Sequence, residues 1–298
     1  MKIFLTGATG IMGRSATSAL QQAGHTVIGL ARSESRARIV AEAGAEPFVG
    51  DFFDGGTLVA GMRGCDAVCN LATHIPIGNS AGVPGAWRTN SRIRSVGSKI
   101  IVDAAIEAGV ERFVQESLSF LYADQGDEVV TEEFPIDVTR AAEPVVEAET
   151  NAARFASGGR SSVVLRFGLI TGHDENSRLK LKRAATGKPI GMGPRVGWCH
   201  VIHPDDLGDA VVAAIAAPGG IYNAGAAPIR REDLNDEFAF AAGRSEAKYY
   251  PKLVLSFAGE KLEMLTRSQR VSSQKFTDLT GWKPAHESFS ADWLAGHG

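Results

Sequence analysis

The sequence predicts an α/β fold in which short buried strands alternate with amphipathic helices. Three observations point there. Residues 1–13 read as an apolar strand (Ile3, Phe4, Leu5), a turn with glycines at 7, 10 and 13, and a helix whose apolar spacing runs from Ile11 to Ala23. A second strand, Thr26–Leu30, closes this unit within about thirty residues. Further strand-like runs then recur between helical stretches, at Glu46–Val49, Ala67–Ala72, Arg112–Gln115, Ser162–Gly168 and Ile221–Asn223.

The glycine spacing carries the first functional expectation. Gly7 makes the turn, Gly10 permits the closest backbone approach, and Gly13 lets helix and strand pack tightly. The helix then offers unpaired N–H groups and a positive dipole end to a diphosphate. Gly7, Thr9, Gly10, Ile11, Met12 and Gly13 are therefore the expected dinucleotide cradle. The end of the second strand decides the nucleotide. Ala31 and Arg32 stand where an acidic residue would hold the ribose diol of NAD. A guanidinium with a neighbouring hydroxyl suits a 2′-phosphate, so NADP is favoured, with NAD the alternative. Arg32 is the main contact, with Ser33 and Arg36 beside it. Asp51 and Phe52 follow the third strand, where a carboxylate can reach an adenine amino group. Leu71 and Ala72 end the fourth, and Thr73, His74, Ile75 and Pro76 beyond it should pass over the nicotinamide end.

Composition narrows the class. The chain has 298 residues, 44% of them hydrophobic and 22% charged, enough for a full core. A net charge of −3 without a basic block gives no reason to expect nucleic acid or an anionic membrane as partner. No apolar run is long enough to span a bilayer. The N-terminus enters the first strand directly, which leaves no room for a signal peptide. Cys65, Cys69 and Cys199 show no zinc-like grouping, and no metal is expected. They read as buried or reduced thiols of a cytoplasmic protein. The expected partner is a small-molecule substrate.

Farther along, residues 78–85 read as a loop, and Trp87 to Ala108 as one long helix that Gly109 ends. Glu116 and Ser117 lie at the C-terminal end of the fifth strand, where open α/β sheets bind ligands. Val145 to Ala156 is helical. Leu169 to Cys199 lacks a sheet pattern and carries a basic helix with Arg178, Lys180, Lys182 and Arg183. Pro204 is expected at the first position of a helix that runs to Ala217. Residues 1–170 form the nucleotide-binding core, to which 200–223 return, while 171–199 and 224–298 form a substrate lobe.

Taken together, several segments resemble the extended short-chain dehydrogenase/reductases, the family that includes nucleotide-sugar epimerases and dehydratases. These are residues 6–13, Asp51, Leu71-Ala72, Asn90 in the long helix, 112–117, 165–168 and 203–206. The resemblance runs from Met1 to about Asn223. It implies a doubly wound, Rossmann-type parallel sheet of seven strands with a small C-terminal substrate lobe. It also implies a bound dinucleotide whose nicotinamide faces Ser117, and pairing into a homodimer through the long helices.

One departure bears on chemistry. Family enzymes carry a Tyr-x-x-x-Lys pair on the helix after the fifth strand, the tyrosine as acid/base and the lysine as its partner. Residues 128–151 contain neither tyrosine nor lysine. The sequence resembles the atypical members, which keep the cofactor fold and vary the chemistry. Proton transfer then needs another group near Ser117. Tyr122, His74 and His200 are the candidates; of His200 and His203, one should face the pocket and the other pack. Glu147 and Glu149 read as a solvated helix face, as do Arg88, Arg92 and Arg94. Three functions follow. They are an atypical NAD(P)-dependent oxidoreductase acting on a small carbonyl or alcohol, an epimerase, dehydratase or lyase in the same pocket, and a non-catalytic NADP sensor. The first is favoured.

Overall fold

The computed structural model describes residues 1–251, 253 and 263–295. Its central sheet has seven strands: β1 (Lys2–Thr6), β2 (Thr26–Ala31), β3 (Glu46–Val49), β4 (Ala67–Asn70), β5 (Arg112–Leu118), β6 (Ser161–Phe167) and β7 (Gly220–Ala224). All pair in parallel, in the order β7-β6-β5-β4-β1-β2-β3. The chain winds outward from β1 to β3, then returns to β4 and winds the other way. The sheet is thus doubly wound, and its order reverses between β1 and β4, where such sheets open a crevice for ligands.

Side-chain alternation along each strand feeds two cores. Ile3 and Leu5 of β1 face one side and pack with Met12, Ala16 and Leu20 of α1 (Ile11–Gln22) and Leu207 and Val211 of α7 (Asp206–Ala216). Phe4, between them, faces the other side with Leu58 and Met62 of α3 (Gly55–Met62) and Ile101 of the long helix α4 (residues 88–107). Phe113 of β5 and Phe155 of α5 (Glu143–Phe155) complete that second core. Between strands β2 and β3 lies α2 (Glu34–Glu42).

Beyond the sheet, α6 (Glu175–Ala185) and α8 (Arg231–Ala241) share a third core in which Ala184, Leu234, Phe238, Phe289 and Trp293 meet. Not all of the C-terminal stretch belongs there. Phe276, on α9 (Gln274–Thr280), packs against Tyr222 of β7, and Trp282 packs against Phe276. Among the described residues, no helix is long and apolar enough to cross a membrane.

Three local expectations differ from the fold. The long helix is not one regular helix: Ile93–Gly97 forms a π turn between the α-helical segments Arg88–Arg92 and Ser98–Glu107. Pro204 lies outside its helix, which begins at Asp206 after an N-cap at Asp205. The stretch 169–199 does contribute strand: Leu169–Ile170 pairs with Val201–Ile202, and Trp198–Cys199 with Ile229–Arg230. Two-residue ladders are too short to leave a period in sequence.

Candidate active site

The glycine turn between β1 and α1 is a cradle that only bare backbone fits. Gly7 has φ 70°, and a Cβ there would sit 2.5 Å from the Leu71 carbonyl oxygen at the end of β4. A Cβ on Gly13 would sit 2.1 Å from the Gly7 oxygen, so α1 lies directly on the turn. Gly10 is the opposite case: it is exposed, and its nearest obstacle is the Gly7 oxygen at 3.2 Å. No side chain caps α1. The first-turn N–H groups of Ile11, Met12 and Gly13 therefore keep their hydrogens for an anion. Arg14 Nη1 donates to the Thr9 carbonyl at 2.9 Å and braces the turn. These residues fit a dinucleotide diphosphate. Gly13→Ala should cost about 1–3 kcal/mol through overpacking. Denaturant unfolding and nucleotide titration should show both effects together, lower stability and weakened NADPH binding.

The adenosine end is more open. Arg32 is exposed and has no hydrogen bond or ion pair with any described residue. Ser33 caps α2, its hydroxyl accepting from the Arg36 N–H at 3.4 Å and lying 3.0 Å from the Ser35 hydroxyl. Asp51 turns the chain after β3, its Oδ1 accepting from the Phe53 N–H at 2.9 Å. Phe52 packs under Gly97 of the π turn, where a Cβ would stand 2.3 Å from its ring. Leu71 is buried behind the Gly7 turn, and Ala72 follows it. Asn90 is also buried; its Oδ1 accepts from the His74 N–H at 2.9 Å and fixes the path of the chain leaving β4.

At the other end, a cavity of about 740 Å³ lies between α1, the ends of β5 and β6, and the segments around His173 and Asp205. Met12, Thr73, Arg94, Glu116 and Ser117 are on its wall. Ser117 Oγ donates to Glu149 Oε1 at 2.5 Å. Arg166 clamps the same carboxylate with two bonds, Nε to Oε1 at 2.9 Å and Nη2 to Oε2 at 2.7 Å. Burial works against the Arg166 charge, but Glu149 more than offsets it and keeps the guanidinium protonated. The reading of Glu149 as solvated is overturned: it is buried, whereas Glu147 is exposed. The signal was its spacing. Val145, Ala148, Glu149, Ala152 and Phe155 form one buried stripe on α5.

The three proposed proton donors lie elsewhere. Tyr122 is fully buried away from the cavity wall; its hydroxyl donates to Asn223 Oδ1 at 2.9 Å, and burial raises its pKa. The chain turns just after β5 and packs the ring against Val130 and Val271. His74 is exposed, and it is Thr73 and Ile75 that reach the cavity. His200 is buried, with Nδ1 2.9 Å from Ser119 Oγ, and desolvation holds its pKa down to about 3. His203 does not reach the cavity wall either; it is buried and stacked on His286 at 3.7 Å between ring centres. Their neighbours His173 and Asp205 line the cavity instead. The basic helix divides: Arg178 lines the cavity, Lys180 lies 4.1 Å over the Phe238 ring, and Arg183 bonds Pro189 and Tyr250.

Arg94 is not a solvated arginine. It is 3% exposed, and its Nη2 donates to Glu116 Oε2 at 2.8 Å, itself on a residue 2% exposed. It shares a face with Gly97, Ser98, Ile101 and Ala105, a pattern visible in sequence. Arg94 Nε and Nη1 and Glu116 Oε1 are buried without a hydrogen-bond partner among the described residues. Each such atom costs about 1–3 kcal/mol if left unpaired.

Comparison with known proteins bears on this arrangement. A family model described as NAD(P)H-binding matches residues 7–218. The chain belongs to the NAD(P)H-binding family. Within and around this family, the chain is 27% identical to a 3-diazoavenalumate denitrifying reductase of Streptomyces sp., over 97% of this chain and 98% of that one. It is 30% identical to 4-hydroxy-2-methyl-3-oxo-4-farnesyl-3,4-dihydroquinoline-1-oxide ketoreductase of Stigmatella aurantiaca, over 74% of this chain and 66% of that one. The fold matches that of human epimerase family protein SDR39U1, solved with NADPH, at a TM-score of 0.81 and 21% identity, covering 98% of each chain. The resemblance to the extended short-chain dehydrogenase/reductases and the seven-stranded Rossmann fold are both borne out.

Proposed function

We propose that this NAD(P)H-binding protein is an NADP-dependent oxidoreductase that interconverts a small carbonyl compound and its alcohol. The observation that carries the reading is the hydrogen-bonded chain from Ser117, on the cavity wall, to Glu149 and Arg166. The Ser117 proton is directed at Glu149, which leaves the hydroxyl oxygen able to accept a hydrogen bond. In the oxidising direction Ser117 Oγ takes the substrate hydroxyl proton while its own proton passes to Glu149. In the reducing direction Ser117 Oγ gives its proton to the substrate oxygen, and Glu149, once it has taken a proton from solvent, returns one to Ser117. Arg166 holds the carboxylate in place through both steps. A bound nicotinamide supplies or accepts the hydride. Glu149, in the stretch where a lysine is expected, thus does part of the work of the tyrosine and lysine pair. The names of two relatives, a reductase and a ketoreductase, support an oxidoreductase.

The preference for NADP rests on Arg32, an exposed cation that no described residue engages. Charge-assisted bonds to a 2′-phosphate contribute about 1.5–3 kcal/mol. Arg32→Asp should therefore weaken NADPH binding roughly 10- to 100-fold and leave NADH binding equal or better. Titration with both nucleotides checks this, and a wild-type protein that already prefers NADH contradicts it.

The function itself is tested by supplying NADPH with a panel of aldehydes, ketones and quinones and following absorbance at the nicotinamide band. The reading expects NADPH consumption with at least one carbonyl class. A new stereoisomer without net NADPH consumption would favour an epimerase. Tight NADPH binding with no turnover in either direction would favour a sensor.

A further inference from the structure

Arg94 and Glu116 lie on the cavity wall next to Ser117, yet the relay uses neither. Two features set them apart from an ordinary buried ion pair. They hold only one hydrogen bond to each other, and three of their polar atoms, Arg94 Nε and Nη1 and Glu116 Oε1, have no partner among the described residues. Arg94 also projects from the π turn Ile93–Gly97, an irregularity of the kind that recurs at functional sites. The pair therefore sets two unpaired donors and an unpaired acceptor, each covered from solvent, in residues that line the cavity. We propose that Arg94 and Glu116 form a recognition subsite for a carboxamide group.

The chemistry selects that group over others. A carboxamide has a carbonyl oxygen for Arg94 and an N–H for Glu116 Oε1, so one planar group fills both kinds of vacancy. A carboxylate fills the donors but turns its charge toward the free Glu116 oxygen. A simple ketone leaves Oε1 unpaired. Burial raises the Glu116 pKa, against the opposing pull of Arg94 and with some help from Glu149. The carboxamide can come from the nicotinamide ring or from the substrate. The first source rests on the oxidoreductase reading above, and the second does not.

Calorimetry with the full chain separates the sources. The probes are NADPH, its 3-acetylpyridine analogue, 2′-phospho-ADP-ribose, and the pair benzamide and benzoate. The variant is Glu116→Gln, which keeps the bond to Arg94 and replaces the free acceptor by a donor. If nicotinamide is the ligand, the wild type binds NADPH at least tenfold tighter than the acetyl analogue. In Glu116→Gln that gap shrinks to about twofold, while 2′-phospho-ADP-ribose binding is unchanged. If the substrate brings the group, benzamide binds at least tenfold tighter than benzoate, with or without NADP, and the variant erases the difference. Neither gap in the wild type, or a gap that Glu116→Gln leaves intact, overturns the proposal. Failure of 2′-phospho-ADP-ribose to bind at all contradicts the cofactor reading instead, and the benzamide pair still decides the subsite.

Discussion

Ser117→Ala should lower kcat about a hundredfold or more while nucleotide affinity and stability stay close to wild type. The variant removes the relay oxygen and leaves the Glu149–Arg166 clamp whole, so the fold keeps its buried ion pair. Glu149→Gln should show a rate loss of the same order or larger. It also weakens the pairing of a buried guanidinium, and breaking such pairs costs about 3–5 kcal/mol. The two variants together distinguish chemistry from packing: Ser117→Ala loses rate alone, and Glu149→Gln loses rate and stability. Steady-state kinetics with denaturant unfolding reads both. A Ser117→Ala enzyme with unchanged kcat contradicts the relay.

Acidification should unfold the protein through its buried histidines. His200 sits among Ser119, Ser273 and Gly225, and desolvation puts its folded pKa near 3, well below the usual 6.5. A histidine whose folded pKa is depressed binds its proton more readily in the unfolded chain. Its contribution to stability is thus complete above pH 6.5 and is lost progressively as the pH falls toward 3. Between pH 6.5 and 5 the loss is about 2 kcal/mol from His200 alone. His203, held near 4 by burial with His286 stacked on it, adds in the same direction. Denaturant unfolding at pH 7 and pH 5 should register this drop, and His200→Gln should flatten the dependence by the His200 share. Equal stability at both pH values contradicts it. Cys69, fully buried with its pKa pushed up to about 12, should stay unreactive toward thiol reagents in the folded protein.

What sequence could carry here was set by how far each signal reaches. The turn at Gly7, Gly10 and Gly13 is local, and its backbone demands are written in the residues that make it. The strands likewise announce themselves as short apolar runs between helices. Glu149, Arg94 and Tyr122 were misread for one reason: the fate of a charged or phenolic side chain depends on what lies across the fold. Glu149 is buried because Ser117 and Arg166, distant in sequence, meet it. Arg94 is buried because Glu116 meets it and because it lies on the buried face with Gly97, Ser98 and Ile101. Tyr122 is withdrawn because Asn223, on the outer strand β7, takes its hydroxyl. Helical spacing placed Glu149 and Arg94 on apolar stripes, and composition alone suggested water.

Hydride transfer at this cavity is open to direct measurement. The protein is incubated with NADPH carrying deuterium at the transferring position of C4, together with the carbonyl panel, and products are read by mass spectrometry. The account predicts an alcohol one mass unit heavy, labelled on the former carbonyl carbon, at a rate that collapses in Ser117→Ala. Unlabelled products throughout, from protein that calorimetry shows to be loaded with NADPH, would contradict it.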